Sequence, residues 1–240
     1  MTGTGEQHSA ADDEEGPEEY WGAHAAEYNE FIVRVVPRYA EMLRLLLEYL
    51  PAAADRVLEL GAGTGNVSLE LAARWPNAHF TFVDAAPEML DIMRGRLRAK
   101  APAVAARASF RAQRFEELQL EARSVDVAVA SLSLHHVEDI GAVYDRLAPA
   151  LGRGGRLIML DGLRGEAAVD HAVHMARWDA YWRSPGKLSE AELHDVVEHI
   201  ERHDHYRTLN EHFALLRSAG FAYADCLWRD GLFTLLTAGI

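Results

Sequence analysis

The stretch that most constrains this chain is Arg56 to Asn66, R-V-L-E-L-G-A-G-T-G-N. Val57, Leu58 and Leu60, interrupted by Glu59, read as a buried strand, and Gly61, Gly63 and Gly65 turn the chain into the amphipathic run Val67 to Arg74. A strand, a glycine turn and a helix make a ligand cradle. Glycine lets the backbone approach a ligand with no Cβ between them, and the helix start presents unpaired N–H groups. The dinucleotide-binding fingerprint needs a third glycine three residues after the second; Asn66 stands there instead.

Further along, His79 to Val83 reads as a second strand that ends on Asp84. An acid about 20 residues beyond such a turn suits ribose, because one carboxylate can accept hydrogen bonds from both hydroxyls. Pro87 suits a first helical turn, with Met89 behind it. Ser109–Ala112 is a short third strand and Ser124–Ala130 a fourth, which runs into Ser131-Leu132-Ser133-Leu134-His135-His136-Val137. A helix from Ile140 to Leu151, a glycine-rich turn and a fifth strand over Arg156–Asp161 follow. Ala222–Trp228 and Leu232–Ala238 read as an antiparallel pair at the end.

Strands alternating with helices predict an α/β fold. The expected architecture is a Rossmann-like, seven-stranded, mostly parallel sheet with an antiparallel last strand, helices on both faces and a helical lid inserted after strand five. The expected division is an acidic, disordered tail over 1–16, a core over 17–161 and 208–240, and a lid over 162–207. Helices at 17–50 open the core: one over Glu18 to Glu30 that carries Tyr20, Trp21 and Tyr28, and one after Pro37. Ser189 with Glu192 and Thr208 with Glu211 are capping boxes that open two later helices.

Composition narrows the function. Lys+Arg 24 against Asp+Glu 37 gives a net charge of −13 with no dense basic stripe, which disfavours a nucleic-acid partner. No apolar run approaches the roughly 18 residues of a membrane span. The polar start lacks the parts of a signal peptide, so a soluble, unexported, cytoplasmic protein is expected. Cys226 is the single cysteine, so no internal disulfide and no cysteine-based zinc site can form. Seven of the 12 histidines fall between His171 and His212. His199 and His203 could share a helix face as metal ligands do, but the helix is charge-rich and the H-E-x-x-H order is absent; surface histidines and no metal site are expected.

V-L-E-L-G-A-G-T-G-N resembles motif I of the class I S-adenosylmethionine-dependent methyltransferases, and D-V-A-V-A-S-L-S-L-H-H-V over Asp126–Val137 resembles their motif IV. That resemblance implies S-adenosylmethionine as cofactor and a small-molecule acceptor. It implies that Glu59, the Gly61-Ala62-Gly63 turn and Tyr28 hold the methionine end, that Asp84 holds the ribose, that Met89 and Phe115 flank the adenine, and that Tyr20, Asn66 and Ala85 are cofactor-binding as well. Ser131 and Leu132 would line the same pocket. The family places an aspartate where Arg114 stands, so Arg114 is carried over as a cofactor-side residue with its role open. His135 or His136 would take a proton from the acceptor, or shape the cofactor site. Trp178, Tyr181, Trp182 and Tyr206 would face the acceptor, a dimer or core surface being the alternative for the first three; a homodimer stays open. The segment from Tyr206 onward is similar to carboxy-S-adenosylmethionine synthase. Other chemistry on the same cofactor (carboxylation, cyclisation, another alkyl transfer) is therefore the second reading, a non-catalytic cofactor-binding module the third, and a dehydrogenase the last.

Overall fold

The computed structural model describes residues 16–240; the expected tail, up to residue 15, lies outside the described residues. Three helices come first, α1 (Pro17–Ala23), α2 (Tyr28–Val35) and α3 (Tyr39–Glu48). The alternating part is β1 (Arg56–Leu60), α4 (Asn66–Arg74), β2 (His79–Asp84), α5 (Pro87–Lys100), α6 (Pro102–Ala105), β3 (Ser109–Ala112), β4 (Val125–Ser131), α7 (Ile140–Ala150) and β5 (Leu151–Gly162). Then come α8 (Ala168–Trp182), α9 (Glu190–His203), α10 (Leu209–Ser218), β6 (Tyr223–Asp230) and β7 (Phe233–Gly239).

The seven strands form one sheet in the order β3-β2-β1-β4-β5-β7-β6. β7 runs antiparallel to both β5 and β6, and every other pairing is parallel. This is the Rossmann-like arrangement expected. Parallel strands covered on both faces must be apolar on both, which is why β1 and β4 read as near-continuous apolar runs. Val57, Val127 and Val129 face a core shared with α3, α4 and α5, with Leu46, Leu71 and Met93 in it. Leu58, Leu60 and Ala128 face the opposite core under α7 and α10, with Tyr144, Leu147 and Leu216. The chain order reverses between β1 and β4, and ligands of such sheets bind outside the carboxyl ends of strands at that point.

Two boundaries differ from expectation. The single helix foreseen over Glu18–Glu30 is two, parted at His24–Glu27. The break seats Ala25 against Ala86 and Met89 at 3% exposure, a tertiary contact that helix propensity cannot register. β5 begins at Leu151 rather than Arg156, because the glycine run forms a bulge: the register against β4 slips between Val125, opposite Leu151, and Val127, opposite Arg156. Among the described residues no helix is long and apolar enough to cross a membrane.

α8 and α9 are fastened to the amino-terminal helices rather than to the sheet alone. The indole N–H groups of Trp178 and Trp182 both donate to the Val35 carbonyl, at 2.8 and 2.9 Å, satisfying a carbonyl that the end of α2 leaves without a helical partner. Arg34 pairs with Glu192 at 2.7 Å. Both predicted capping boxes form, at Ser189–Glu192 and Thr208–Glu211.

Candidate functional site

A cleft with about 1120 Å³ of empty space, part of it open to solvent, lies over the carboxyl ends of β1, β2, β4 and β5. Its floor is the glycine turn. Gly61 has φ +71°, and a Cβ there would stand 2.1 Å from Ser133 Cβ; no side chain fits between the turn and the β4 loop. Gly63 has φ +52° and nothing within 4 Å of where a Cβ would be, so this edge is bare backbone. Asp84, at the end of β2, accepts from Gly63 N at 2.7 Å and Ala86 N at 3.0 Å. A carboxylate offers about four lone-pair sites, so two remain for a ligand. Leu132, in the β4 loop, holds φ +52°, a strained conformation for a branched side chain, pinned by its N–H to the Leu160 carbonyl at 2.8 Å.

Behind the turn sits a buttress the sequence did not announce. Arg96 donates to the Thr64 carbonyl at 2.7 Å and to Asn66 Oδ1 at 2.9 Å; Thr64 Oγ1 donates to Asn29 Oδ1 at 2.7 Å and Asn66 Nδ2 to Tyr39 OH at 3.1 Å. Glu59 is buried beside Ser68, and its Oε2 has no hydrogen-bond partner. Desolvation, helped by the charge of Asp84, pushes its carboxyl up to about 8.

The lid side of the cleft is a polar cluster. His135 Nδ1 pairs with Asp161, whose carboxylate also accepts from Leu134 N and Gly162 N, each at 2.8 Å. His136 Nδ1 stands 2.9 Å from Asp204 Oδ1, in ion-pair reach though off the line of a hydrogen bond; its Nε2 accepts from the Trp21 indole at 3.3 Å. Tyr206 OH donates to Asp204 Oδ2 at 2.5 Å and its ring stacks on His135. Burial opposes charge on His135, but Asp161 and Asp204 outweigh it and push the imidazole up to about 9. Burial and the neighbouring His135 pull His136 down, and burial pulls His199 to about 3.

The structure brings most sequence-predicted residues to this cleft. Gly61, Gly63, Asp84 and Ala85 line one side with Met89 and Phe115; Ser131, Leu132, His135 and His136 line it from the β4 loop; Tyr20 and Tyr28 from the amino-terminal helices; Trp178 and Tyr206 from the lid side. Six do not line it. Glu59, Ala62 and Asn66 stand behind the turn, Asn66 as part of the buttress. Arg114 points outward, 54% exposed, and clamps Glu18 of α1 at 2.5 Å, because the aspartate-to-arginine change pairs it with the acidic α1 rather than with the cavity. Trp182 is buried on Val35, and Tyr181 lies in a neighbouring surface groove, its hydroxyl 3.4 Å from the Val33 carbonyl. One further expectation is corrected. His199 is 7% exposed, stacked on Tyr20 and edge-on to Trp21; the charge-rich sequence of α9 hid the face that α1 covers. Asp161 and Asp204 were missed as well, carrying only the signal of acids beside a strand end and a helix end.

The comparisons agree with this geometry. The methyltransferase-domain family matches residues 57–155. An uncharacterized methyltransferase of Mycobacterium tuberculosis is 38% identical over 117 residues, 49% of this chain and 44% of that protein, so the chain aligns with less than half the length of that relative. Carboxy-S-adenosyl-L-methionine synthase of Campylobacter lari is 24% identical over 208 residues, 85% of this chain and 87% of the relative. Among solved structures, Haemonchus contortus phosphoethanolamine N-methyltransferase 2 in complex with S-adenosyl-L-methionine superposes with TM-score 0.62 at 18% identity, covering 85% of this chain and 43% of that one. Residues 57–155, which hold motif I at the β1 turn and motif IV at the end of β4, match the methyltransferase domain, and the chain is similar in sequence and strand order to S-adenosylmethionine-dependent methyltransferases.

Proposed function

We propose that the protein binds S-adenosylmethionine and transfers its methyl group to a small, uncharged or cationic acceptor. The observation that carries this reading is one continuous cleft joining the glycine cradle to the polar cluster, so that cofactor and acceptor can meet inside it. The residues present fit the cofactor. Bare backbone at Gly61 and Gly63 and two spare lone-pair directions on Asp84 are what a methionine chain and a ribose would use, with Met89 and Phe115 against an adenine. When bound, the sulfonium supplies an already activated methyl. What remains for the protein is to align the acceptor and exclude water, a contribution of roughly 7–11 kcal/mol in well-oriented systems.

No lysine or arginine lines the cleft among the described residues, whereas Glu18, Asp84 and Asp204 do. That lining favours a neutral or amine acceptor over a carboxylate or phosphate. It also weighs against the second reading, carboxylation of the cofactor, which the near full-length likeness to the Campylobacter lari synthase favours; the one imidazolium of the described lining, His135, already faces two carboxylates, Asp161 and Asp204, and is not free for a carboxyl-bearing co-substrate.

Calorimetry with S-adenosylmethionine, followed by mass analysis of incubations with an acceptor panel, tests the proposal. Binding, with S-adenosylhomocysteine and a product heavier by one methyl, is expected. A carboxylated cofactor in place of S-adenosylhomocysteine would establish the second reading, and tight binding without turnover on any acceptor a binding module. Asp84→Ala is expected to weaken cofactor binding at least tenfold, since hydrogen bonds to a charged group contribute about 1.5–3 kcal/mol. Parent-like affinity would remove Asp84 from the ribose site.

A further inference from the structure

Three histidines from two segments converge on a single carboxylate oxygen. Asp204 Oδ1 lies 2.9 Å from His136 Nδ1, 3.8 Å from His135 Nε2 and 3.9 Å from His199 Nε2. Asp204 Oδ1, His136 Nδ1 and both nitrogens of His199 are buried with no hydrogen-bond partner. Buried polar atoms are nearly always satisfied, so several orphans aimed at one point mark a missing binding partner. The ligand atoms of His135, His136 and Asp204 all fall within 4.8 Å of one another.

We propose that His135 Nε2, His136 Nδ1 and Asp204 Oδ1 form a two-histidine, one-carboxylate site for a divalent transition-metal ion of the zinc or iron(II) class, open toward the cleft. Such ions hold nitrogen and oxygen ligands at about 2.0–2.2 Å, and with these three protein ligands leave positions for water or substrate. The outer partners are already in place. Asp161 accepts from His135 Nδ1–H, so that an ion has only the Nε2 proton to displace from that ring to meet a lone pair on the Asp204 side; Tyr206 occupies Asp204 Oδ2 and leaves Oδ1; the His205 N–H, bonded to the His135 carbonyl at 2.6 Å, ties the two segments together. A carboxylate behind a ligating histidine is the usual way of fixing ring and tautomer. His199 closes the far side over the same oxygen.

One contact opposes the ion. The Trp21 indole N–H donates to His136 Nε2, which keeps the imidazole proton on Nδ1, the atom the ion needs. Metal binding therefore moves that proton to Nε2 and releases the indole. An ion held here faces the acceptor end of the cleft, where its open positions would take an oxygen or nitrogen of the acceptor.

The site is tested on the full chain stripped with chelator, without any methyl acceptor, so the outcome is independent of the transfer reaction. Calorimetry with zinc chloride and visible absorption with cobalt(II) are expected to show one equivalent bound, with a d–d band of a site containing imidazole nitrogen. Asp204→Asn and His136→Gln should each weaken binding at least tenfold, Asp161→Asn by roughly 10- to 100-fold through His135, and Trp21→Phe should bind at least as tightly as the parent. Circular dichroism checks that each variant is folded, and a variant that unfolds is replaced in the comparison by the others. The proposal is overturned if the folded parent gives no stoichiometric heat and no cobalt band. Parent-like binding in the folded Asp204→Asn or His136→Gln chain overturns it too, since the ion would then sit on exposed histidines such as His194.

Discussion

Glu59 is fully buried on β1, with Ser68 of α4, Tyr39 of α3 and Asp84 of β2 as its polar neighbours, and desolvation raises its carboxyl to about 8 from an ordinary 4.5. The folded chain therefore holds a proton that the unfolded chain releases between those values. By linkage, the stabilisation that this proton provides is complete below about pH 4.5 and is lost as pH rises toward 8. Thermal unfolding of the ligand-free protein is expected to show the Tm of the parent falling relative to that of Glu59→Gln from pH 5 to pH 8, the buried His136, His199 and His212, whose lowered pKa values act in the opposite sense below about pH 6.5, being common to both chains. An identical slope in the variant would show that Glu59 does not carry the effect. Sequence placed this acid before the turn and could not tell whether it reached a ligand; its burial depends on α3 and α4, which pack over it from elsewhere in the chain. Arg114 shows the same limit from the other side. A guanidinium beside a strand end reads as a ligand contact, but the acidic α1 captured it, and only the packed chain reveals that.

At the scale of elements, the join between α2 and α8 rests on the Val35 carbonyl and its two indole donors. Converting Trp178 and Trp182 together to Phe leaves that carbonyl unpaired, at a cost of about 1–3 kcal/mol, and each kcal/mol lowers Tm by about 2–4 °C in a chain of this size. Either single variant should lose less, because one indole remains. A double variant as stable as the parent would mean that the contact contributes nothing. Ser189→Ala removes the cap of α9 and is expected to cost about 1 kcal/mol. Such caps are legible in sequence because their partners lie three residues apart. Trp182 looked like an acceptor contact beside Trp178 because helical spacing gives a shared face without saying what covers it, and only Trp178 lines the cleft.

Across the whole molecule, α1 is the loosest part of the cleft wall. None of its residues is buried, and it rests on Glu18–Arg114, Tyr20 against His199 and Trp21 against His136. Segments held by few buried contacts open at low free energy. Hydrogen exchange over residues 17–23 should be fast without ligand and slower when S-adenosylmethionine is bound; equal rates would remove α1 from the closing wall. A described lining with no lysine or arginine, and with His135 held between two carboxylates, makes a second expectation. Of two acceptors that differ only by a carboxylate, the one lacking it should have the higher kcat/KM, by tenfold or more, and the reverse order would contradict the proposed acceptor class.

The chain by itself determined the sheet, the glycine turn, the place of Asp84 at the end of β2 and both capping boxes, because each is written in neighbouring residues or in a period that one element imposes. Tertiary structure alone decided the polar cluster. His135 and His136 on the β4 loop, Asp161 on β5, and His199 with Asp204 at the end of α9 are separated by up to 69 residues, and no local pattern links them. Their charges, tautomers and unpartnered atoms exist only once the sheet and α9 bring them to one point, where removal from water makes each depend on the others.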